Sequence, residues 1–277
     1  MENTAITYRG LSLPCRFLPA ERGRKSPVLI MVSGGEGITV DLYFWAGAYA
    51  LANGYSILLY EGPGNISTMY TSGLVHEADS SRPIGAALDW LCERNDVDTE
   101  RIALMGISFG GYLASRAAAV DPRIKALIPD SPVLDFFEIL LKVYPKWIFS
   151  LPEWFFRFFL TRIAGYYDRA GFDLLLWEGG ASGIRELFEE LKEYRMGGLE
   201  SKIACPVFGM TGDGEGETFT GQAREFIERV ASREKRLRIY TKADGAGAHC
   251  QMDNQLIMNQ ELVAWLDRVF DLEGKRG

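Results

Sequence analysis

Residues 106–111, Gly-Ile-Ser-Phe-Gly-Gly, lie between an apolar run, Arg101-Ile102-Ala103-Leu104-Met105, and a helix-forming run at 112–119. The order reads strand, sharp turn, helix, and it constrains this chain more than any other feature. Flanking glycines let backbone segments crowd together at such a turn. The turn lifts the Ser108 hydroxyl above the end of the sheet, and the N-terminus of the following helix favours negative charge developing there. A bare G-x-S-x-G recurs by chance. In this strand–turn–helix setting it predicts a nucleophile elbow rather than a structural turn.

A serine hydroxyl needs a base to become a useful nucleophile. The chain offers two histidines, His76 and His249. His249 follows an apolar run at 237–240, in a loop where Gly245 and Gly247 permit a tight return over the sheet. It is the predicted base. His76, between Val75 and Glu77 and upstream of the serine, reads as structural or substrate-facing. The acid should follow the next-to-last strand, at 205–210, and there the sequence runs Thr-Gly-Asp-Gly-Glu-Gly-Glu (211–217). Asp213 between two glycines is the preferred acid, holding the imidazole tautomer and stabilising the imidazolium. Glu215, Glu217 and Asp244 are its rivals, with Asp244, on the histidine's own loop, the runner-up. Ser, acid, His is the chain order of the α/β-hydrolase fold.

The remaining pattern agrees with that fold class, a mostly parallel central sheet flanked by helices. Residues 4–18 alternate and predict an antiparallel edge hairpin. Continuous apolar runs at 27–32, 56–60 and 124–128 predict buried parallel strands. Helices are predicted at 42–53, ended by Gly54, and at 83–94. Strands alternating with helices imply helices on both faces of one sheet. Regular alternation stops at 133–200, an aromatic, helix-forming stretch broken at Pro145 and Pro152. The expected organisation is a hydrolase core at 1–132 and 201–277 with a helical lid at 133–200. Among the lid aromatics, Trp147, Trp154 and Phe155 are candidate substrate contacts, although any single one more often glues a cap to its body.

Composition narrows the partners. With 277 residues, 47% of them hydrophobic, one α/β domain carrying an insertion is expected. A formal net charge of −7 argues against nucleic acid. Four cysteines without C-x-x-C spacing suit a reducing, cytoplasmic setting. Cys250 beside His249 reads as packing, its thiol turned away along an extended loop. The first residues lack the pattern of a signal peptide, and no apolar run is long enough to span a bilayer. Basic residues interleaved with the lid aromatics suggest a membrane-surface anchor, but Asp135, Glu138 and Glu153 dilute that charge. No metal and no cofactor are expected, since two histidines far apart offer no ligand cluster. The expected partner is a small apolar or aromatic substrate, and a homodimer is compatible with the sequence.

The oxyanion hole should take one donor from the Phe109 N–H, the residue after the nucleophile. The second should come from Ser-Gly-Gly-Glu-Gly (33–37), with Gly35 preferred and Glu36 the alternative. The Glu36 side chain is also a candidate substrate contact, or simply a solvated turn residue. Three stretches carry a family resemblance: Tyr-Glu-Gly-Pro-Gly (60–64), residues 101–118, and Ala-His-Cys-Gln (248–251). The chain resembles the α/β-hydrolase branch that holds 2,6-dihydroxypseudooxynicotine hydrolases, FrsA-like esterases and fungal polyketide-shortening hydrolases of pigment pathways. Ser108, Asp213 and His249 fall at the branch's triad positions. Members often carry a helical region ahead of the core, whereas this chain opens almost at its first strands. Asn65 stands where many relatives have Gln after Glu-Gly-Pro-Gly. The resemblance implies a serine hydrolase that cleaves a C–C bond beside a ketone, or an ester, in a bulky aromatic or polyketide-like substrate through an acyl-enzyme. An acyltransferase or cyclase using the same parts, and a non-catalytic binding protein on the same scaffold, are the competing readings.

Overall fold

The structure is a computed structural model and describes residues 1–35, 37–143, 147, 150–162 and 165–272. Eight strands form one sheet in the order β1-β2-β4-β3-β5-β6-β7-β8. They are β1 (Glu2–Tyr8), β2 (Leu11–Leu18), β3 (Ser26–Val32), β4 (Ser56–Tyr60), β5 (Val97–Ile107), β6 (Ala126–Asp130), β7 (Val207–Gly212) and β8 (Lys235–Tyr240). The first two form an antiparallel hairpin, and β2 pairs antiparallel with β4. Every pairing from β4 through β8 is parallel.

The apolar runs are continuous because both faces of the sheet are covered. Successive side chains of a strand point to opposite faces. On β3, Val28, Ile30 and Val32 enter one core and Leu29 and Met31 the other. On β5, Ile102 and Leu104 divide in the same way from Ala103, Met105 and Ile107. The first core lies under α4 (Ser81–Cys92), α5 (Phe109–Ala118) and α10 (Glu217–Arg229). The second lies under α1 (Thr39–Leu42), α2 (Ala48–Ala52) and α11 (Gln255–Val269). A π-helical turn at Tyr43–Gly47 joins α1 to α2, so the helix read at 42–53 starts earlier and widens at its middle. The short helix α3 (Ile66–Ser72) completes the body. Leu29 and Leu104 are fully buried, and truncating such a residue to alanine typically costs about 2–5 kcal/mol.

Between β6 and β7 the chain leaves the sheet, and the described residues there form the α-helices α6 (Phe136–Val143), α7 (Glu153–Arg162), α8 (Tyr166–Gly179) and α9 (Ile184–Leu191). Phe156, Phe172, Leu187, Phe188 and Leu191 from these helices belong to the same core as Phe109 and Tyr112 of the body. The inserted helices therefore share apolar packing with α5. Among the described residues no helix is long and apolar enough to cross a membrane.

The topology fixes where a ligand can bind. From β3 the chain goes to one side to make β4, then returns past β3 to make β5 on the other side. The crevice at the carboxyl ends of β3 and β5 is therefore a topological switch point, where open α/β sheets bind ligands. Ser33, Ser108, Ser131, Glu215 and His249 all follow the carboxyl ends of strands at this edge.

Candidate active site

Ser108 sits between β5 and α5 with φ 58° and ψ −123°, outside the regions an L-residue prefers. The strain follows from a turn compressed until only glycine fits on either side. A Cβ on Gly106 would lie 1.9 Å from the Gly110 carbonyl oxygen, and one on Gly110 would lie 2.5 Å from that of Val32. The Ser108 N–H donates to the Asp130 carbonyl at the end of β6, and the Gly111 N–H donates back to the Ser108 carbonyl at 2.8 Å. The hydroxyl is thereby aimed off the sheet at the start of a ten-residue helix.

His249 Nε2 lies 2.8 Å from Ser108 Oγ. Its other nitrogen, Nδ1, lies 2.6 Å from Glu215 Oε2. The structure thus corrects the sequence reading of the acid: Glu215 faces the histidine, not Asp213. Asp213 opens a single 3-10 turn, Asp213–Glu215, and its exposed carboxylate accepts from the Lys242 backbone N–H at 3.3 Å. Two residues later the turn has swung back, and the longer glutamate reaches beneath the imidazole. Its carboxylate also accepts from the Gly212 N–H at 2.8 Å, the Thr211 hydroxyl at 2.9 Å and the Ser131 hydroxyl at 2.8 Å. Burial would raise the Glu215 carboxyl, but the hydrogen bond and charge of His249, then the Gly212 N–H and the Ser131 hydroxyl, outweigh it. They hold the group below the usual carboxylate range. The other rivals are occupied elsewhere: Asp244 closes its own turn on Thr241 and pairs with Arg238, and Glu217 pairs with Arg224.

Cys250 also differs from expectation. The loop is not extended there. His249–Gln251 is a tight turn with Cys250 at φ 48°, which folds the thiol back to 3.6 Å from His249 Nε2. The thiol donates to the Asp130 carbonyl at 3.3 Å, and burial pushes it well above the ordinary thiol range. It is therefore a protonated packing group, with little thiolate character.

Above Ser108 lies a cavity of about 580 Å³. The body contributes Gly34, Gly35, Trp45, Phe109 and Met252, and the inserted segment contributes Phe136, Leu175, Leu187, Leu191 and Tyr194. Among the described residues the lining aromatics from the insertion are Phe136 and Tyr194, tilted against Phe109 with ring centroids 4.8 and 5.3 Å away. Trp147, Trp154 and Phe155 do not line it and are exposed at 64%, 71% and 39%. In α7 apolar residues surround the axis, so periodicity could not say which side packs inward. Among the described side chains of α7 the buried one is Phe156, edge-on to Phe172.

The loop after β3 approaches the serine through Gly34: a Cβ there would meet Ser108 Cβ at 3.1 Å and Oγ at 3.5 Å. Gly35 is turned toward Glu178, whose Oε2 would lie 3.5 Å from a Gly35 Cβ. Glu36 lies outside the described residues. Asn65 steadies this loop, donating from Nδ2 to the Gly34 carbonyl at 3.2 Å while its Oδ1 accepts from the Gly62 N–H at 2.9 Å. Glu61 of the same Tyr-Glu-Gly-Pro-Gly run is buried and accepts from the N–H groups of Thr39 and Ser67, tying α1 and α3 together.

His76 lines the cavity, edge-on to Phe109 at 5.2 Å. Its backbone N–H donates to the Glu178 carbonyl at 2.9 Å, and its Nε2 is 3.9 Å from Glu178 Oε2. Burial pushes the imidazole down to about 4, against the smaller opposing effect of the Pro63 backbone. A histidine depressed in the folded state contributes stability that is complete above the unfolded value near 6.5. That stability is lost as pH falls from there toward 4. The lost contribution approaches ~3 kcal/mol, because a tenfold change in proton affinity is worth about 1.4 kcal/mol. Denaturant unfolding of the wild type and His76→Gln across pH 4–7 checks this. The variant is expected to lose less stability than the wild type over the interval, and parallel curves would contradict the assignment. Among the described residues, no group of three His, Cys, Asp or Glu side chains gathers in a metal-binding arrangement.

Fold and site geometry together define an α/β hydrolase. A family model described as X-Pro dipeptidyl-peptidase (S15 family) matches residues 13–145. The hydrolase acrC of Aspergillus aculeatus is 30% identical over 270 residues, covering 91% of this chain and 62% of that protein. The 20-hydroxy-prefusarin hydrolase FUS2 of Gibberella moniliformis is 30% identical over 288 residues, covering 96% of this chain and 68% of that protein. Among solved structures, that of 2,6-dihydroxy-pseudo-oxynicotine hydrolase aligns with a TM-score of 0.74 at 19% identity, over 97% of this chain and 67% of that one. The chain belongs to the α/β-hydrolase family and is related to hydrolases of fungi.

Proposed function

We propose that this protein is a serine hydrolase of a bulky, largely apolar ketone or ester, working through Ser108, His249 and Glu215. The observation that carries the reading is the unbroken relay from Ser108 Oγ to His249 Nε2 and from Nδ1 to Glu215, at 2.8 and 2.6 Å. His249 takes the serine proton as Oγ attacks the substrate carbonyl. Glu215 holds the Nδ1–H tautomer and balances the imidazolium. The tetrahedral oxyanion is received by the Phe109 N–H and an N–H of the Gly34–Gly35 loop, donors each worth ~3–4 kcal/mol in such sites. Collapse expels an alkoxide, or a carbanion stabilised by a neighbouring carbonyl, and the imidazolium protonates it. Water activated by His249 then releases the acyl group as an acid. Residues 133–200 act as the lid, with Phe136 and Tyr194 facing the substrate. The four cysteines are free thiols, which supports a cytoplasmic setting.

Relatives in fungi named as hydrolases, one of them a 20-hydroxy-prefusarin hydrolase, support a polyketide-like substrate, and the apolar cavity supports a flat or branched hydrocarbon skeleton. The reaction is tested in ¹⁸O-labelled water with a panel of aryl esters and β-diketones. Label is expected in a carboxylic acid product that has lost its alcohol or carbon fragment. An unlabelled product of unchanged mass would point to cyclisation or isomerisation and overturn hydrolysis.

A further inference from the structure

One buried carboxyl behind the relay takes no part in proton transfer. Asp130 closes β6, is fully buried, and touches both partners of the attack. Its backbone carbonyl accepts from the Ser108 N–H and, at 3.3 Å, from the Cys250 thiol. Its side-chain Oδ1 accepts from Gln251 Nε2 at 3.3 Å. Cys250 and Gln251 are the two residues that follow His249 in its turn. That turn needs holding: they have φ 48° and 53°, a left-handed pair that non-glycine residues rarely adopt. From outside, Trp45 Nε1 donates to the Cys250 carbonyl at 3.2 Å. From inside, the fully buried Gln251 reaches Asp130. The nucleophile's turn and the base's turn are thus both fastened to the end of one strand. The next residue, Ser131, supplies a hydroxyl to Glu215.

The carboxyl does this without charge. Asp130 Oδ2 is buried with no hydrogen-bond partner, so an anion there would go uncompensated. Burial, then the charge of Glu215, push the group well above the usual carboxylate range, against the smaller effect of the Gln251 amide. The titratable groups facing it among the described residues are Glu215 from the turn after β7, Cys250 from the histidine's turn and Tyr240 from β8. As acids, all three favour its neutral form. A neutral carboxyl still accepts a hydrogen bond, and it adds no second negative charge behind His249.

We propose that Asp130 is a positioning residue of the Ser108–His249 pair: its carbonyl fixes the nucleophile's turn, and its carboxyl, through Gln251, fixes the base's turn within hydrogen-bonding distance of the hydroxyl. The proposal deepens the hydrolase reading and rests on His249 being the base.

Two readouts test it. The first is the rate at which a fluorophosphonate phosphonylates Ser108, followed to saturation in the wild type, Asp130→Asn, Asp130→Ala, Gln251→Ala and the double alanine variant. The second is the His249 Nδ1 proton, observed by NMR in histidine-labelled protein and assigned by its loss in His249→Ala. Asp130→Ala is expected to lower the limiting rate about 30- to 100-fold, because a displacement of about an ångström can cost that much. The half-saturating concentration should stay within about threefold, and the His249 proton signal should broaden or vanish. Gln251→Ala should do the same, and the double variant should lose no more than the worse single, as two residues acting as a unit do. Asp130→Asn keeps an oxygen for Gln251 and should bring the rate back to within about threefold of the wild type. It should also leave the acid limb of the pH–rate profile, which reports His249, in place. Removing a charged neighbour would instead lower that limb by about one unit. An alanine variant as fast as the wild type, additive losses in the double variant, no rescue by asparagine, or a shifted acid limb would overturn the positioning role. If Asp130→Ala does not fold, Gln251→Ala and Asp130→Asn decide between the same outcomes. A wild type that shows the His249 signal but is never phosphonylated sinks the hydrolase reading alone. The signal in the alanine variants then still decides the positioning role: lost, it supports it, and unchanged, it overturns it.

Discussion

Ser108→Ala is expected to abolish turnover of the best substrate found in an ester and ketone panel, while the protein keeps its melting temperature within a few degrees. The hydroxyl leaves the turn without losing any backbone contact, since the N–H still donates to Asp130 and the carbonyl still accepts from Gly111. Alanine has no oxygen to place 2.8 Å from His249. Loss of a triad serine lowers kcat by up to ~10⁶-fold in a well-studied hydrolase, and what survives comes from the oxyanion hole and binding. Retention of more than about a thousandth of the wild-type rate would reject Ser108 as nucleophile.

Glu215→Gln is expected to lower kcat by roughly 10³- to 10⁴-fold, and Asp213→Asn to change it less than about threefold. The glutamine can still occupy the pocket made by Gly212, Thr211 and Ser131. It then offers His249 Nδ1 an amide rather than a carboxylate, which removes the compensating charge and admits the wrong tautomer. Asp213 only caps the neighbouring loop through the Lys242 N–H, so its loss is a small structural matter. Steady-state kinetics of the two variants side by side decides the acid. A larger loss at Asp213 would return the role to it.

The two substitutions also show where sequence reasoning reached and where it stopped. Ser108 was legible because its position rests on local facts: an apolar strand, two glycines and a helix-forming run fix the turn. His249 was legible by scarcity, being one of two histidines. The acid depended on the path of a three-residue turn. Asp213 and Glu215 are each flanked by glycines in Gly-Asp-Gly-Glu-Gly, so the criterion that favoured one favoured both. What separates them is that Gly214 comes within 2.9 Å of the Gly247 carbonyl, closing the turn so that Glu215, not Asp213, points inward. That contact spans 33 positions and leaves no local trace in the sequence.

The inserted segment divides in the same way. Its helices were readable from composition, and their inward faces were not. Phe136 and Tyr194 reach the cavity because they pack on Phe109, while Trp154 and Phe155 occupy the outer side of α7. The cavity-lining residues His76 and Glu178 lie on separate elements, a loop before α4 and the end of α8, and only the fold brings them together. Strand positions in the parallel sheet were easier, because burial on both faces writes the whole strand in apolar residues.

The central claim, an activated serine poised by His249, is tested most directly by intact-protein and peptide mass spectrometry after treatment with a fluorophosphonate. The account predicts one adduct per chain, on the peptide containing Ser108, absent from Ser108→Ala and formed much more slowly in His249→Ala. An unmodified protein, or an adduct on another residue that persists in Ser108→Ala, would contradict it.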